Sequence, residues 1–190
     1  MSSLTLSGRI TVARTVAQTL LAGMPDRLAH TAGVARRAEQ MIRTVDPADH
    51  EVLVIAAWLH DIGYSPALAT TGFHPLDGAD DLDRHGWPRR VCGLVAHHSG
   101  AIFVARALNL ADLLGRYPDE RSPVSDALTY ADQTVGPLGQ PVSLDERMAE
   151  VLARHGDDSV QARVQHTRGP YLRSIAARVE RRLSYAGVRG

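Results

Sequence analysis

The stretch Val52-Leu53-Val54-Ile55-Ala56-Ala57-Trp58-Leu59 is the longest unbroken apolar run in the chain, and it leads directly into His60-Asp61-Ile62-Gly63. Eight apolar residues suit either a strand buried on both faces or a helix buried on every side. The preceding Asp46-Pro47 favours the helix. An aspartate side chain accepts hydrogen bonds from the free amides of a helix start, and proline fits the first helical position. The pattern predicts a central buried helix that begins at this cap and is ended by Gly63. Such a helix delivers a histidine and an aspartate together at its C-terminal end.

The flanking sequence is helical as well. Val12, Val16 and Leu20 repeat at i+4 before Gly23 and Pro25 break the run. A helix is expected from Pro25 to about Thr44, with Leu28, Thr31, Val34, Ala35, Ala38 and Met41 inward. Others are expected from His74 to about His85, from Pro88 to about His98, and from Pro123 to about Val135. Ile102 to Leu114 reads as core, Leu108, Leu110, Leu113 and Leu114 included. Gly136, Pro137, Gly139 and Pro141 mark a turn. Ser143 and Glu146 form a capping box before Leu144, Met148, Val151 and Leu152. Val160 to Leu183 reads as a long terminal helix that Gly169-Pro170 kinks or splits. The pattern shows no alternating strand, repeat or flexible linker, so the expectation is one all-α domain over residues 1–190.

Composition narrows the function. All 21 basic residues are arginine, so Schiff-base chemistry and a P-loop lysine are excluded. They balance 21 acidic residues, and a neutral chain carries no electrostatic footprint for a nucleic-acid polymer or an acidic membrane. An eight-residue apolar run falls far short of the roughly twenty a membrane span needs. The lone Cys92 cannot form an internal disulfide and reads as a small buried apolar group. Polar residues interrupt each apolar stretch near the start, so no secretory leader is expected and a cytoplasmic location is.

Chemistry concentrates in histidine and aspartate. His60 and Asp61 offer a neutral imidazole nitrogen and a hard anionic oxygen, a pairing that suits Mn, Fe, Co, Zn or Mg. His30 sits beside the apolar face of its helix, His74 opens one, and His97 and His98 end another. Asp132 lies next to Leu128, Ala131 and Val135, where a carboxylate is costly unless paired or metal-bound. Taken singly, each has a bland reading as a satisfied core histidine, a cap or a salt-bridged aspartate. Arg27, three residues before His30, shares its helix face and could grip a phosphate or simply be solvated. Asp77, beside His74, is a candidate base or ligand support. Arg106 has no firm placement. His155 reads as a cap or packing residue, and His50, His85 and His166 as surface residues.

The ordered set resembles the HD-domain superfamily of metal-dependent phosphohydrolases. Arg27-Leu28-Ala29-His30-Thr31-Ala32-Gly33-Val34-Ala35 resembles its first-helix motif, Ala56 to Gly63 the segment that names it, and Tyr130-Ala131-Asp132 its distal aspartate motif. His74-Pro75-Leu76-Asp77-Gly78-Ala79 and Ala96-His97-His98-Ser99-Gly100 resemble histidine segments of two-metal branches, the HD-type cyclic-dinucleotide phosphodiesterases and the symmetric diadenosine-tetraphosphate hydrolases. The chain departs from the former: serine follows His98 where they have glutamate, and their Gly-Tyr-Pro signature is absent. The acidic pair of stringent-response hydrolases is missing too.

The resemblance implies an HD-type helical bundle with a metal-binding core over residues 25–136 and a C-terminal helical extension, 143–190, packed on it. It implies one or two divalent ions held by His30, His60, Asp61 and Asp132, with His74, His97 and His98 as further ligands and Asp61 as the bridge. Asp61, Arg27 and Asp77 are the candidate catalytic residues. The expected reaction is hydrolysis of a phosphoester or phosphoanhydride in a small nucleotide or phosphorylated metabolite, with a dinucleotide polyphosphate the most specific option. No nucleic-acid polymer or membrane is expected as a partner, and a homodimer is left open. The alternatives are a non-catalytic metal- or nucleotide-binding signalling module and an HD-like di-iron oxygenase.

Overall fold

Residues 52–59 are apolar all round because the helix they form is packed on opposite faces. In the computed structural model, which describes residues 6–188 and the side chains of 8–186, Ile55 and Leu59 belong to one apolar cluster. Leu53, Ala56 and Ala57 belong to another. The helices in chain order are α1 (Leu6–Leu20), α2 (Pro25–Met41), α3 (His50–Leu59), α4 (His74–Arg84), α5 (Arg89–His97), α6 (Ala101–Ala107), α7 (Ala111–Leu114), α8 (Pro123–Gln133), α9 (Leu144–His155) and α10 (Val160–Val188). The first cluster joins α3 to α1, α4, α5 and α6, and the second joins it to α2, α8 and α10. The molecule is a single all-α domain built around α3. No helix among the described residues is long and apolar enough to cross a membrane.

Several boundaries differ from the sequence expectation for local reasons. Asp46 does cap a helical start, its side chain accepting from the Ala48 amide at 2.9 Å, but the helix is a 3-10 turn, Pro47–Asp49, and α3 begins after it. At its other end α3 stops at Leu59 and the backbone tightens into a second 3-10 turn, Ile62–Tyr64. Gly63 is therefore not the residue that stops the helix. It lets this turn lie directly against α4: a Cβ there would stand 2.0 Å from the His74 carbonyl oxygen and 2.6 Å from the Gly78 amide.

The run from Ile102 to Leu114 is not all core. Asn109 takes a left-handed conformation (φ 58°) that separates α6 from α7, and Leu108 and Leu113 are 38% and 40% exposed while Leu114 is buried. α10 is not split at Gly169-Pro170. Pro170 lacks the amide that would bond the His166 carbonyl, but both residues lie on the exposed face, where water can take that carbonyl.

The capping box at Ser143 and Glu146 starts α9, and Ser122 with Ser125 forms another at the start of α8, ahead of Pro123. α10 lies against α6, α8 and α9. Its Arg178 and Arg182 reach the buried Asp126 of α8 at 2.6 and 2.8 Å.

Candidate metal centre

Six side chains from five segments converge where α3 ends. His30 comes from the middle of α2, His60 and Asp61 from the end of α3, and His74 from the first position of α4. His98 follows α5, and Asp132 lies near the end of α8. They form two adjacent donor sets, His30 with His60 and Asp132, and Asp61 with His74 and His98. Within each set every donor atom lies within 4.8 Å of the others, close enough to surround one ion. Asp61 touches both sets. Its Oδ2 stands 3.3 Å from His60 Nε2 and 3.7 Å from His30 Nε2, while its Oδ1 stands 3.3 Å from His74 Nε2.

The imidazoles are oriented by the backbone. His30 Nδ1 meets the Gly136 carbonyl at 3.1 Å, His60 Nδ1 the Ala57 carbonyl at 2.8 Å, and His98 Nδ1 the Val95 carbonyl at 2.6 Å. A carbonyl only accepts, so each Nδ1 carries a proton and each Nε2 is turned toward the centre, that of His30 meeting Asp132 Oδ1 at 2.9 Å. Metal-ligating histidines are held in this way. The fit to a cation is sharpest at His60, whose wholly buried Nε2 makes no hydrogen bond. His74 and His98 direct their Nε2 atoms at each other across 3.3 Å. This donor set of imidazole nitrogens and carboxylate oxygens fits a borderline or hard divalent ion.

Electrostatics agree. Burial pushes the Asp61 carboxyl up, but His60 and Arg27 outweigh it and hold the group well below the usual carboxylate range. Asp132 is likewise held well below that range, the hydrogen bond from His30 and the charge of His60 outweighing its burial. Burial drives His74 far below the usual imidazole value, and burial with the neighbouring His60 lowers His98. Both therefore present neutral nitrogens at neutral pH. His60 moves the other way, because the adjoining Asp61 outweighs its burial. Two ionised carboxylates packed among imidazoles demand positive charge, which a proton or a cation can supply.

Neighbouring residues hold the carboxylates. Arg27 Nη1 donates to Asp61 Oδ2 at 2.6 Å, and its guanidinium lies 4.0 Å over the Tyr64 ring, which in turn stacks on His74 at 3.9 Å. Arg27 thus serves Asp61 rather than being a solvated surface charge. Asp132 Oδ2 accepts from Ser99 Oγ and, at 2.8 Å, from Gln133 Nε2.

Three of the sequence candidates are not brought to the cluster. His97 turns away and meets the Tyr117 carbonyl at 3.0 Å; its neighbour His98 faces the site. The two are consecutive at the end of α5, where neighbouring helical side chains diverge by roughly 100°, so only one of them can face the site. Asp77 is buried, but its Oδ1 is taken by the Thr70 hydroxyl and by the Thr71 amide and hydroxyl, and its Oδ2 by the Gly72 amide. It pins the 70–72 loop and has no contact with the donor sets. Arg106 is exposed and away from the cavity.

A cavity of about 330 Å³ opens over the centre, reaching Asp61, His74, His98 and Asp132. Its outer wall carries residues the sequence reading did not single out, Arg147, Arg154 and Arg168 of α9 and α10, with His155 beside them. A signal was present: Arg147 falls on the apolar stripe of Leu144, Met148 and Val151, and Arg168 on the buried line from Val164 to Leu172.

A larger apolar groove lies elsewhere, between α1, α3 and the α4–α5 connection, and holds none of these donors.

No curated protein and no solved structure matches the chain. The family model of the HD domain matches residues 27–135, a span that begins at Arg27 and takes in His30, His60, Asp61, His74, His98 and Asp132. With more than half of its length matched and a histidine, a His-Asp pair and a distant aspartate meeting in one buried cluster, the chain belongs to the HD-domain family.

Proposed function

We propose that the chain is a divalent-metal-dependent phosphohydrolase that cleaves a phosphoester or phosphoanhydride in a small nucleotide or phosphorylated metabolite. HD domains are metal-dependent phosphohydrolases in general, and one observation carries the reading to this chain. Two adjacent donor sets, one with an orphaned His60 nitrogen, adjoin a cavity lined by Asp61, His74, His98 and Asp132 together with Arg27, Arg147, Arg154 and Arg168. In this reading His30, His60 and Asp132 would hold one ion and Asp61, His74 and His98 another, with Asp61 lying between the two sets. A divalent ion bound there supplies Lewis acidity, making water nucleophilic near neutral pH and offsetting charge on the phosphoryl oxygens.

The chain's own residues supply the rest. The backbone carbonyls of Gly136, Ala57 and Val95 fix three imidazoles, so little reorganisation is needed on binding. Arg27 keeps Asp61 ionised and in place, with Tyr64 holding the guanidinium from beneath. The arginines attract and orient an anion in a chain without lysine.

The test is a screen of nucleoside mono-, di- and triphosphates, cyclic dinucleotides and diadenosine polyphosphates with Mn²⁺, Fe²⁺, Co²⁺, Zn²⁺ or Mg²⁺. The expected result is release of phosphate or nucleotide that stops on chelation. A protein demonstrably loaded with metal that turns over none of these compounds contradicts the proposal.

A further inference from the structure

Nothing in the donor sets explains why α9 and α10, beyond the matched HD segment, bring arginines to the cavity. Arg147 is 4% exposed. Its Nη1 bonds Glu150, its Nη2 stands 3.9 Å from Asp132 Oδ1, and its Nε is buried with no partner. Arg154 reaches the same Glu150 at 3.6 Å, so one carboxylate answers two guanidinium groups. Arg168 donates through Nε to the Ser99 carbonyl at 2.8 Å and forms no ion pair among the described residues. Burial lowers its pKa, and the nearby charge of Asp132 only partly offsets this. Leaving positive charge buried and half-answered is costly, and a bound anion offsets that cost.

Their arrangement adds direction. Arg27, Arg147 and Arg154 border not only the cavity over the donor sets but a second one of about 360 Å³, lined also by Met24, Pro25 and Pro137. The only carboxylate on its lining is Asp26. Each cavity is at the small end of the range for small-molecule sites, and the arginines stand between them. Arg27 and Arg147 lie against the donor-set carboxylates Asp61 and Asp132, whereas Arg154 pairs with Glu150 farther along the shared wall. A chain of phosphates leaving the donor sets runs between the arginines toward the second cavity.

We infer that Arg147, Arg154 and Arg168 form a subsite for a second, non-reacting phosphate, so that the substrate carries two or more linked phosphates. This rests on the phosphohydrolase reading and narrows it to nucleoside di- or triphosphates, dinucleotide polyphosphates and chemically similar compounds. The organic portion beyond the phosphates has the Met24, Pro25 and Pro137 cavity to occupy.

Binding of two non-hydrolysable probes tests it without activity. Calorimetry on the Mn²⁺-loaded chain compares methylenediphosphonate with methylphosphonate. The diphosphonate should bind at least about tenfold more tightly, since it adds charge-assisted hydrogen bonds. Arg154→Gln and Arg168→Gln should each weaken the diphosphonate about tenfold and the methylphosphonate less than about twofold, with ion content unchanged. Arg168→Lys should keep part of the preference. Arg154, partly exposed and lightly paired, carries the test if the Arg168 variant folds poorly. Equal affinity of the two probes, no binding of the diphosphonate, or a preference that the arginine variants leave intact overturns the subsite. A clear preference in a protein that hydrolyses nothing leaves the subsite standing and removes the enzyme reading. Turnover of monophosphates with no preference does the reverse.

Discussion

In an Asp61→Ala variant, bound metal falls by at least about a hundredfold in affinity and turnover falls with it, while the fold is retained. Asp61 belongs to one donor set and its Oδ2 lies 3.3 Å from His60 Nε2 of the other, so under the proposed reading its removal would weaken both. Changes one step further from an ion already cost about 10–100-fold, and a shared ligand costs more. The variant also leaves Arg27 without the carboxylate that holds it over Tyr64. Elemental analysis after gel filtration, with circular dichroism as the check on folding, measures the loss. Full ion content in Asp61→Ala would show that this carboxylate is not shared.

Gly63→Ala should destabilise the chain by about 3 kcal/mol, at the upper end of what overpacking costs. A Cβ at this position meets backbone, not a side chain that can swing aside: the His74 carbonyl oxygen at 2.0 Å and the Gly78 amide at 2.6 Å. Gly78 lies opposite, where its own Cβ would come within 3.2 Å of the Gly63 amide. The two glycines let the turn after α3 and the first turns of α4 touch. That contact sets the distance from His60 and Asp61 to His74, so the variant should lose the ion of the Asp61, His74 and His98 set before the other. Urea denaturation and metal stoichiometry measure the two effects. A variant of unchanged midpoint and stoichiometry would mean that α4 shifts without consequence for the centre.

How much of this was readable in sequence follows from the range of the forces involved. Caps, prolines and i+4 spacing act within a few residues, so the starts of α2, α8 and α9 and the long α10 were legible. The grouping of His30, His60, Asp61 and Asp132 is legible through the resemblance to the HD domain, while local physics marks only Asp132, a carboxylate beside an apolar face that needs a partner. The choice between His97 and His98 is not. It depends on partners that arrive across the fold, the Tyr117 carbonyl that meets His97 and the His74 and Asp61 side chains that face His98. Asp77 misled because a carboxylate beside a candidate ligand looks catalytic, whereas the loop it pins is visible only once residues 70–72 fold back over it. In sequence Gly63 looks like a stop signal, but its real constraint is an α4 backbone that arrives from outside its own helix. Arg147 and Arg168 stand out in sequence only as charges on apolar stripes; their partners, Asp132 and the Ser99 carbonyl, are met only when α9 and α10 fold onto the core.

The most direct test is anomalous diffraction from crystals of the chain loaded with Mn²⁺, collected at the metal edge. The account predicts two peaks inside the buried cluster, one contacted by His30, His60 and Asp132 and the other by Asp61, His74 and His98, with Asp61 between them. A loaded crystal with no peak in the cluster, its six side chains joined only to one another, would contradict it.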